Sequence, residues 1–178
     1  MKKRFGMVAA AALLAVMLAG CGTKIEKGTS LLKEVKYDQA AEVFEKASKD
    51  ADMEKEALRG LGISYYELEQ YDKAASTFET ALEKGVRETP ELYNLLGISY
   101  LNTGEYEKAS SCFETGSQMD GAGDDLKKEM AYNQIFALEK AQKYSEAKEK
   151  ADAYLQSWPD DEDVQKEAEF LETQAGNE

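Results

Sequence analysis

ALRGLGISYYELEQYDKAASTFETA (Ala57–Ala81) and ELYNLLGISYLNTGEYEKASSCFETG (Glu91–Gly116) are two readings of one phrase, offset by 35 residues. The second half of the phrase occurs earlier as KYDQAAEVFEKA (Lys36–Ala47), 34 residues before its counterpart at Gln70. A more degenerate copy, KYSEAKEKADAY, begins at Lys143, 38 residues beyond Glu105. Self-similarity at this period signals stacked supersecondary units, each of which buries one face against its neighbour.

The spacing within a unit is helical. Leu58, Leu61, Gly62 and Tyr65 recur at intervals of 3, 1 and 3, one face of a helix. Ala74, Phe78 and Ala81 form the same kind of face on a second helix, with a turn at Glu69-Gln70 between the two. Gly62 and Ala74 lack bulk, so the helices can approach closely in an antiparallel hairpin, and Phe78 fills the space beside Leu61 and Tyr65. Aligned on Gly62 and Gly97, the large residues match at Leu58/Tyr93, Leu61/Leu96, Tyr65/Tyr100, Tyr71/Tyr106 and Phe78/Phe113, and the small ones at Ala74/Ala109 and Ala81/Gly116.

This set resembles the tetratricopeptide repeat, with its W-L-G-Y…A…F…A…P pattern. The resemblance covers Lys24 to about Pro159 and implies an all-α fold: an α-solenoid of about four antiparallel helix hairpins with a C-terminal capping helix. The repeats are expected at 24–50, 51–86, 87–121 and, in degenerate form, 122–159, with the capping helix and tail at 160–178. In the first copy, Lys24 and Lys27 replace large apolar residues, as suits an end repeat with no preceding neighbour. The fourth has Ile135 at the glycine position and Ala151 at the phenylalanine position, an exchange that conserves volume. Met119 to Asp125 reads as a lengthened inter-repeat loop. Thr89-Pro90 reads as the cap and first position of a helix, Gly85 as the end of the preceding one, and Asp161 as the cap of a final helix facing the stack through Val164, Ala168 and Leu171.

The first 22 residues carry an address. Lys2, Lys3 and Arg4 precede an apolar run from Phe5 to Gly20, which at 16 residues is shorter than the ~20 a spanning helix needs. The run ends Leu18-Ala19-Gly20-Cys21, which resembles the lipobox of bacterial lipoproteins. The resemblance implies that residues 1–20 form a cleaved signal peptide and that Cys21 becomes the lipid-modified first residue of an anchored N-terminus, 21–23. The expected location is the extracytoplasmic face of a bacterial cell membrane. Gly22 is not the aspartate of an inner-membrane retention signal, which leaves the outer membrane open in a diderm.

The chain has a net charge of −13, and loss of residues 1–20, with three basic and no acidic residues, makes it −16. Such acidity argues against nucleic acid as the partner. There is no histidine, which removes the commonest general base and the commonest metal ligand. With Cys21 acylated, Cys112 is the one remaining thiol, and beside Phe113 on a packing helix it reads as structural. Asp120 to Asp125 lacks the central glycine and closing glutamate of an EF-hand, and Asp160 to Asp163 follows a proline at a helix start. Both read as solvated helix ends, and neither catalysis, a metal nor a cofactor is expected.

The binding surface implied by the family is the concave groove lined by the first helix of each hairpin. Its stripe reads Arg59, Ile63 and Tyr66 in the second copy, Asn94, Ile98 and Leu101 in the third, and Tyr132, Phe136 and Glu139 in the fourth, with Ile25, Thr29 and Leu32 in the first. The apolar row Ile63, Ile98, Phe136 is expected to be exposed and to take a protein or peptide. It departs from the Lys/Asn/Arg clamp by which some family members hold acidic peptide tails. The expected function is a membrane-anchored adaptor or scaffold in cell-envelope assembly; a small-solute or glycan-binding lipoprotein is the alternative.

Overall fold

A computed structural model describes residues 23–176. The expected signal segment, Cys21 and Gly22 lie outside the described residues. Among the described residues are nine helices and no strand: α1 (Thr23–Lys33), α2 (Tyr37–Ala47), α3 (Glu54–Glu67), α4 (Tyr71–Glu83), α5 (Pro90–Thr103), α6 (Tyr106–Gln118), α7 (Asp124–Lys140), α8 (Tyr144–Ser157) and α9 (Glu162–Ala175). Each helix packs on the next along the chain. The first helices of neighbouring hairpins also touch, α1 with α3, α3 with α5 and α5 with α7, which sets them on the inside of the stack. The architecture is an α-solenoid of four hairpins closed by α9.

One turn closes all four hairpins. The amide of Lys36 donates to the carbonyl of Leu31, Gln70 to Tyr65, Glu105 to Tyr100 and Lys143 to Leu138, at 2.9 to 3.0 Å. This is the bond of a Schellman motif, which requires a left-handed residue just before the donor. That residue is Val35 (φ 60°), Glu69 (φ 57°), Gly104 (φ 85°) or Gln142 (φ 61°). Only the third is a glycine. Val35 is the most strained, since a β-branched side chain in this region meets its own backbone at a cost of ~1–2 kcal/mol. It is also 67% exposed, so its side chain gains little from burial. Val35→Gly is expected to stabilise the protein by roughly 0.5–1 kcal/mol after the added flexibility of the unfolded chain is subtracted. A fall in melting temperature would show that the side chain does more than the backbone geometry implies.

The small residues sit where the hairpins close. A Cβ on Gly62 would stand 2.5 Å from Phe78 Cε1, and one on Gly97 would stand 2.7 Å from Phe113 Cε1. Phe44 is gripped from two hairpins: a Cβ on Gly28 of its own hairpin or on Gly60 of the next would fall 2.6 or 2.5 Å from its Cε1. Phe44, Phe78 and Phe113 are all fully buried. In the fourth hairpin Ile135 and Ala151 are both buried in one apolar cluster, in keeping with the exchange of bulk between the two helices. Val164, Ala168 and Leu171 of α9 pack into that cluster. At the opposite end Lys24 and Lys27 face solvent.

Helix ends follow local chemistry. Thr89 has extended backbone and its Oγ1 accepts the Leu92 amide at 3.2 Å, with Pro90 next in line. Gly85 (φ 76°) follows the end of α4. Asp161 stands before α9, and the amide of Val164 is among the groups that favour its ionised carboxylate. One expectation is corrected: Met119 to Asp125 is not a lengthened loop. Asp124 and Asp125 form the first turn of α7, and the additional residues lie in that helix, which has 17 residues against 14 in α3 and in α5. Two acids in a first turn favour this outcome, because they complement the helix dipole.

Candidate functional site: the inner face

The stripe lies on the inner helices, but most of it is core. Ile63 and Ile98 are 2% and 1% exposed, which corrects the expectation that they line an open groove. Leu101, Arg59 and Asn94 are buried as well. In the first hairpin Ile25, Thr29 and Leu32 are likewise buried, and the Thr29 hydroxyl donates to the Ile25 carbonyl at 2.8 Å. The cause is the direct contact between successive inner helices, which closes over the positions midway along the stripe. Tyr66, Tyr132, Phe136 and Glu139 remain half-buried and reach the surface.

The electrostatics of this face follow from burial. Burial pulls the Arg59 guanidinium below its ordinary value, while the carboxylates of Glu56 and Glu91 hold it up. Asn94 Nδ2 donates to Glu129 Oε1 at 3.0 Å and so ties α5 to α7. Asn94 Oδ1 is buried with no hydrogen-bond partner. Burial raises the Tyr66 phenol well above its ordinary value, with the charge of Glu129, two hairpins away in sequence, among the further causes. Its ring meets Tyr71 edge-on, with centroids 5.8 Å apart. Lys140 Nζ lies 4.8 Å from the centroid of Phe136 and 3.2 Å from Glu139 Oε1.

Glu129 was not anticipated as part of this face, although the alignment contains the signal. Glu56, Glu91 and Glu129 each stand six positions before Gly62, Gly97 and Ile135. They form an acidic column in register with the repeats, with Glu91 and Glu129 half-buried.

Cys112 lies on the other side of the stack, where Leu82, Leu96 and Tyr100 line a cleft of about 490 Å³ between α4 and α6. The Tyr100 hydroxyl donates to Glu79 Oε1, and Lys108 Nζ lies 4.9 Å from the Tyr100 ring centroid. Burial pushes the Cys112 thiol up to about 12, with Glu79 adding to the shift and Lys108 opposing it. Burial, with the bond to Glu88, takes Tyr93 to about 12, and burial raises Tyr100 further. All these groups hold their protons more tightly folded than unfolded. Above ~8.5 for a free thiol and ~10 for a free phenol, the unfolded chain sheds protons that the folded chain keeps, so stability falls as pH rises. The melting temperature is therefore expected to drop steadily between pH 9 and 12; a flat profile over that window would contradict these environments.

Stacked antiparallel hairpins with close glycine–phenylalanine crossings and an inner face of partly exposed aromatics define the class: a helical repeat protein. The tetratricopeptide repeat family description matches residues 25–91 and 61–112. The chain belongs to the tetratricopeptide repeat family. Over 61 residues it is 41% identical to the TPR repeat-containing protein YsoA of Bacillus subtilis (strain 168), a stretch that covers 34% of this chain and 18% of that protein. Among solved structures it resembles YrrB, described as a TPR protein with an unusual peptide-binding site, with a TM-score of 0.73, 21% identity and coverage of 86% and 77% of the two chains. It also resembles MamA AMB-1, with a TM-score of 0.71, 20% identity and coverage of 86% and 81%. At these identities the structural likeness is one of fold.

Proposed function

We propose that this protein is a lipid-anchored adaptor that binds a protein or peptide partner along the inner face of its solenoid, in assembly at the cell envelope. The observation that carries the reading is the set of half-exposed apolar side chains Tyr66, Tyr132 and Phe136 on the inner helices α3 and α7. A repeat array offers such a surface on a rigid scaffold, and apolar anchors among charged neighbours suit peptide recognition. YrrB, of similar fold, has a described peptide-binding site. The anchor rests on the sequence Leu18-Ala19-Gly20-Cys21, with Gly22 alone between Cys21 and the start of α1. That spacing would hold the solenoid against the bilayer. No helix among the described residues is long and apolar enough to cross a membrane.

The test joins both halves of the reading. Full-length protein in its native membrane is crosslinked to its partner, and Tyr66→Ala with Phe136→Asp is compared with the parent. The variant is expected to keep its helical content and to lose the captured partner, because each buried anchor contributes ~1.5–3 kcal/mol. Retention of the same partner would move the binding surface elsewhere. Cys21→Ala is expected to shift the protein out of the detergent-extracted membrane fraction, and unchanged partitioning would refute the anchor.

A further inference from the structure

The turn from α8 into α9 borders an open cleft of about 600 Å³, lined by Trp158, Pro159, Lys128 and the acids of 160–163. A smaller cleft of about 240 Å³, which shares Lys128, is walled by Tyr132, Tyr154, Asp125 and Glu129. The larger volume falls within the ~300–1,000 Å³ of ligand sites. Trp158 packs against Tyr154 with ring centroids 4.7 Å apart, so aromatic surface runs from one cleft into the other.

The charges here are sharply unbalanced. Among the described residues, Lys128 is the one cation lining either cleft. Its Nζ is engaged at 3.2 Å by Asp161 Oδ2, which also accepts the Tyr154 hydroxyl at 2.8 Å. The Asp161 side chain is only 6% exposed, so this pair belongs to the floor. Burial opposes its ionisation, yet the bonds from Tyr154 and Lys128 together outweigh that and hold it below the usual carboxylate range. Among the described lining residues, Asp125, Glu129, Asp160 and Glu162 outnumber that single cation. Glu162 pairs with Lys166 outside them, at 3.8 Å with both side chains largely exposed, a contact that neutralises little.

We infer that this double cleft binds an arginine side chain of a basic peptide segment. A guanidinium is planar and weakly hydrated, stacks on aromatic faces and donates in a fork that fits carboxylates. A sugar ring could stack on Trp158 but would gain nothing from the excess charge, and an anion would be repelled. The inference rests on the reading of the protein as a peptide binder and gives the chemistry of one anchor in the partner. The clefts adjoin the inner face through Tyr132, so one peptide could reach both.

Trp158 is the sole tryptophan of the chain, so its fluorescence reports on the cleft alone. Full-length protein in detergent is titrated with a tri-arginine peptide, with tri-glutamate and with a chitin trisaccharide. Tri-arginine is expected to change the Trp158 emission saturably, and the other two are not. Asp160→Asn with Glu162→Gln should weaken that binding by at least ~10-fold. The charge-matched control at the far end of the stack, Glu42→Gln with Glu45→Gln, should leave it within about twofold. Saturation by the sugar alone, no response to tri-arginine, or equal weakening by the two double variants would each overturn the inference. Those results leave the adaptor reading standing, because it fails only if Tyr66→Ala with Phe136→Asp retains the crosslinked partner.

Discussion

Ile98→Asp is expected to remove about half of the stability of the helical fold or more, whereas Phe136→Asp, one hairpin on, is expected to leave it nearly unchanged. Ile98 is 1% exposed within the main apolar cluster, and the substitution removes that packing and inserts an ionisable group with no partner. Lost packing costs ~2–5 kcal/mol, and an unpaired polar group in the core adds ~1–3 kcal/mol even when it is neutralised by protonation. Against a total stability of ~5–15 kcal/mol, the sum of ~3–8 kcal/mol removes about half of the stability or more. Phe136 is half-buried beside Lys140, which a new carboxylate can meet. Circular dichroism melts of the two variants separate core from surface: a native-like melt for Ile98→Asp would return that residue to the groove.

The second large effect is a rescue. Gly97→Ile drives a side chain into Phe113 and is expected to cost ~1–3 kcal/mol, while Phe113→Ala alone leaves a cavity at ~3–5 kcal/mol. The fourth hairpin carries this pair of changes naturally, as Ile135 and Ala151, both buried in one cluster. Gly97→Ile with Phe113→Ala should therefore cost at least ~1 kcal/mol less than the two single losses combined, a coupling expected of side chains in contact. Urea titration of the four proteins gives the cycle. Strict additivity would mean that the fourth hairpin packs by a different rule.

The repeat register was legible because it depends on contacts within a hairpin. Gly62 against Phe78 and Gly97 against Phe113 are set by the period and by residue size alone, as are the Thr89 cap and the apolar face of α9. What the sequence could not fix was the separation between hairpins. Ile63 and Ile98 occupy the offset that points to the inside, and whether that offset opens on solvent or on the next helix depends on how closely α3, α5 and α7 approach. They touch, and the isoleucines are core. The acidic column of Glu56, Glu91 and Glu129 was readable in register, but acids at the start of helices are commonplace, and it takes the bond from Asn94 to Glu129 and the charges of Glu56 and Glu91 at Arg59 to give them a place in the inner face. The cleft at Trp158 was hidden because it draws on α7, α8 and the turn into α9, which belong to different repeat units.

Helix α7 serves two masters. Met130 and Ala137 belong to the apolar cluster that reaches back to α1, whereas Ile135 and Leu138 belong to a separate one shared with α8 and α9. The seam between the clusters therefore runs through a single helix. An array with such a seam opens in stages, and its parts exchange amide protons at different rates. In deuterated solvent the amides of α8 and α9 should exchange first, with α5 and α6 the slowest, because the smaller cluster can detach without disturbing the larger. A peptide held at Trp158 would slow exchange in α8 and α9 most, so that occupancy of one end becomes visible as a delay in deuterium uptake.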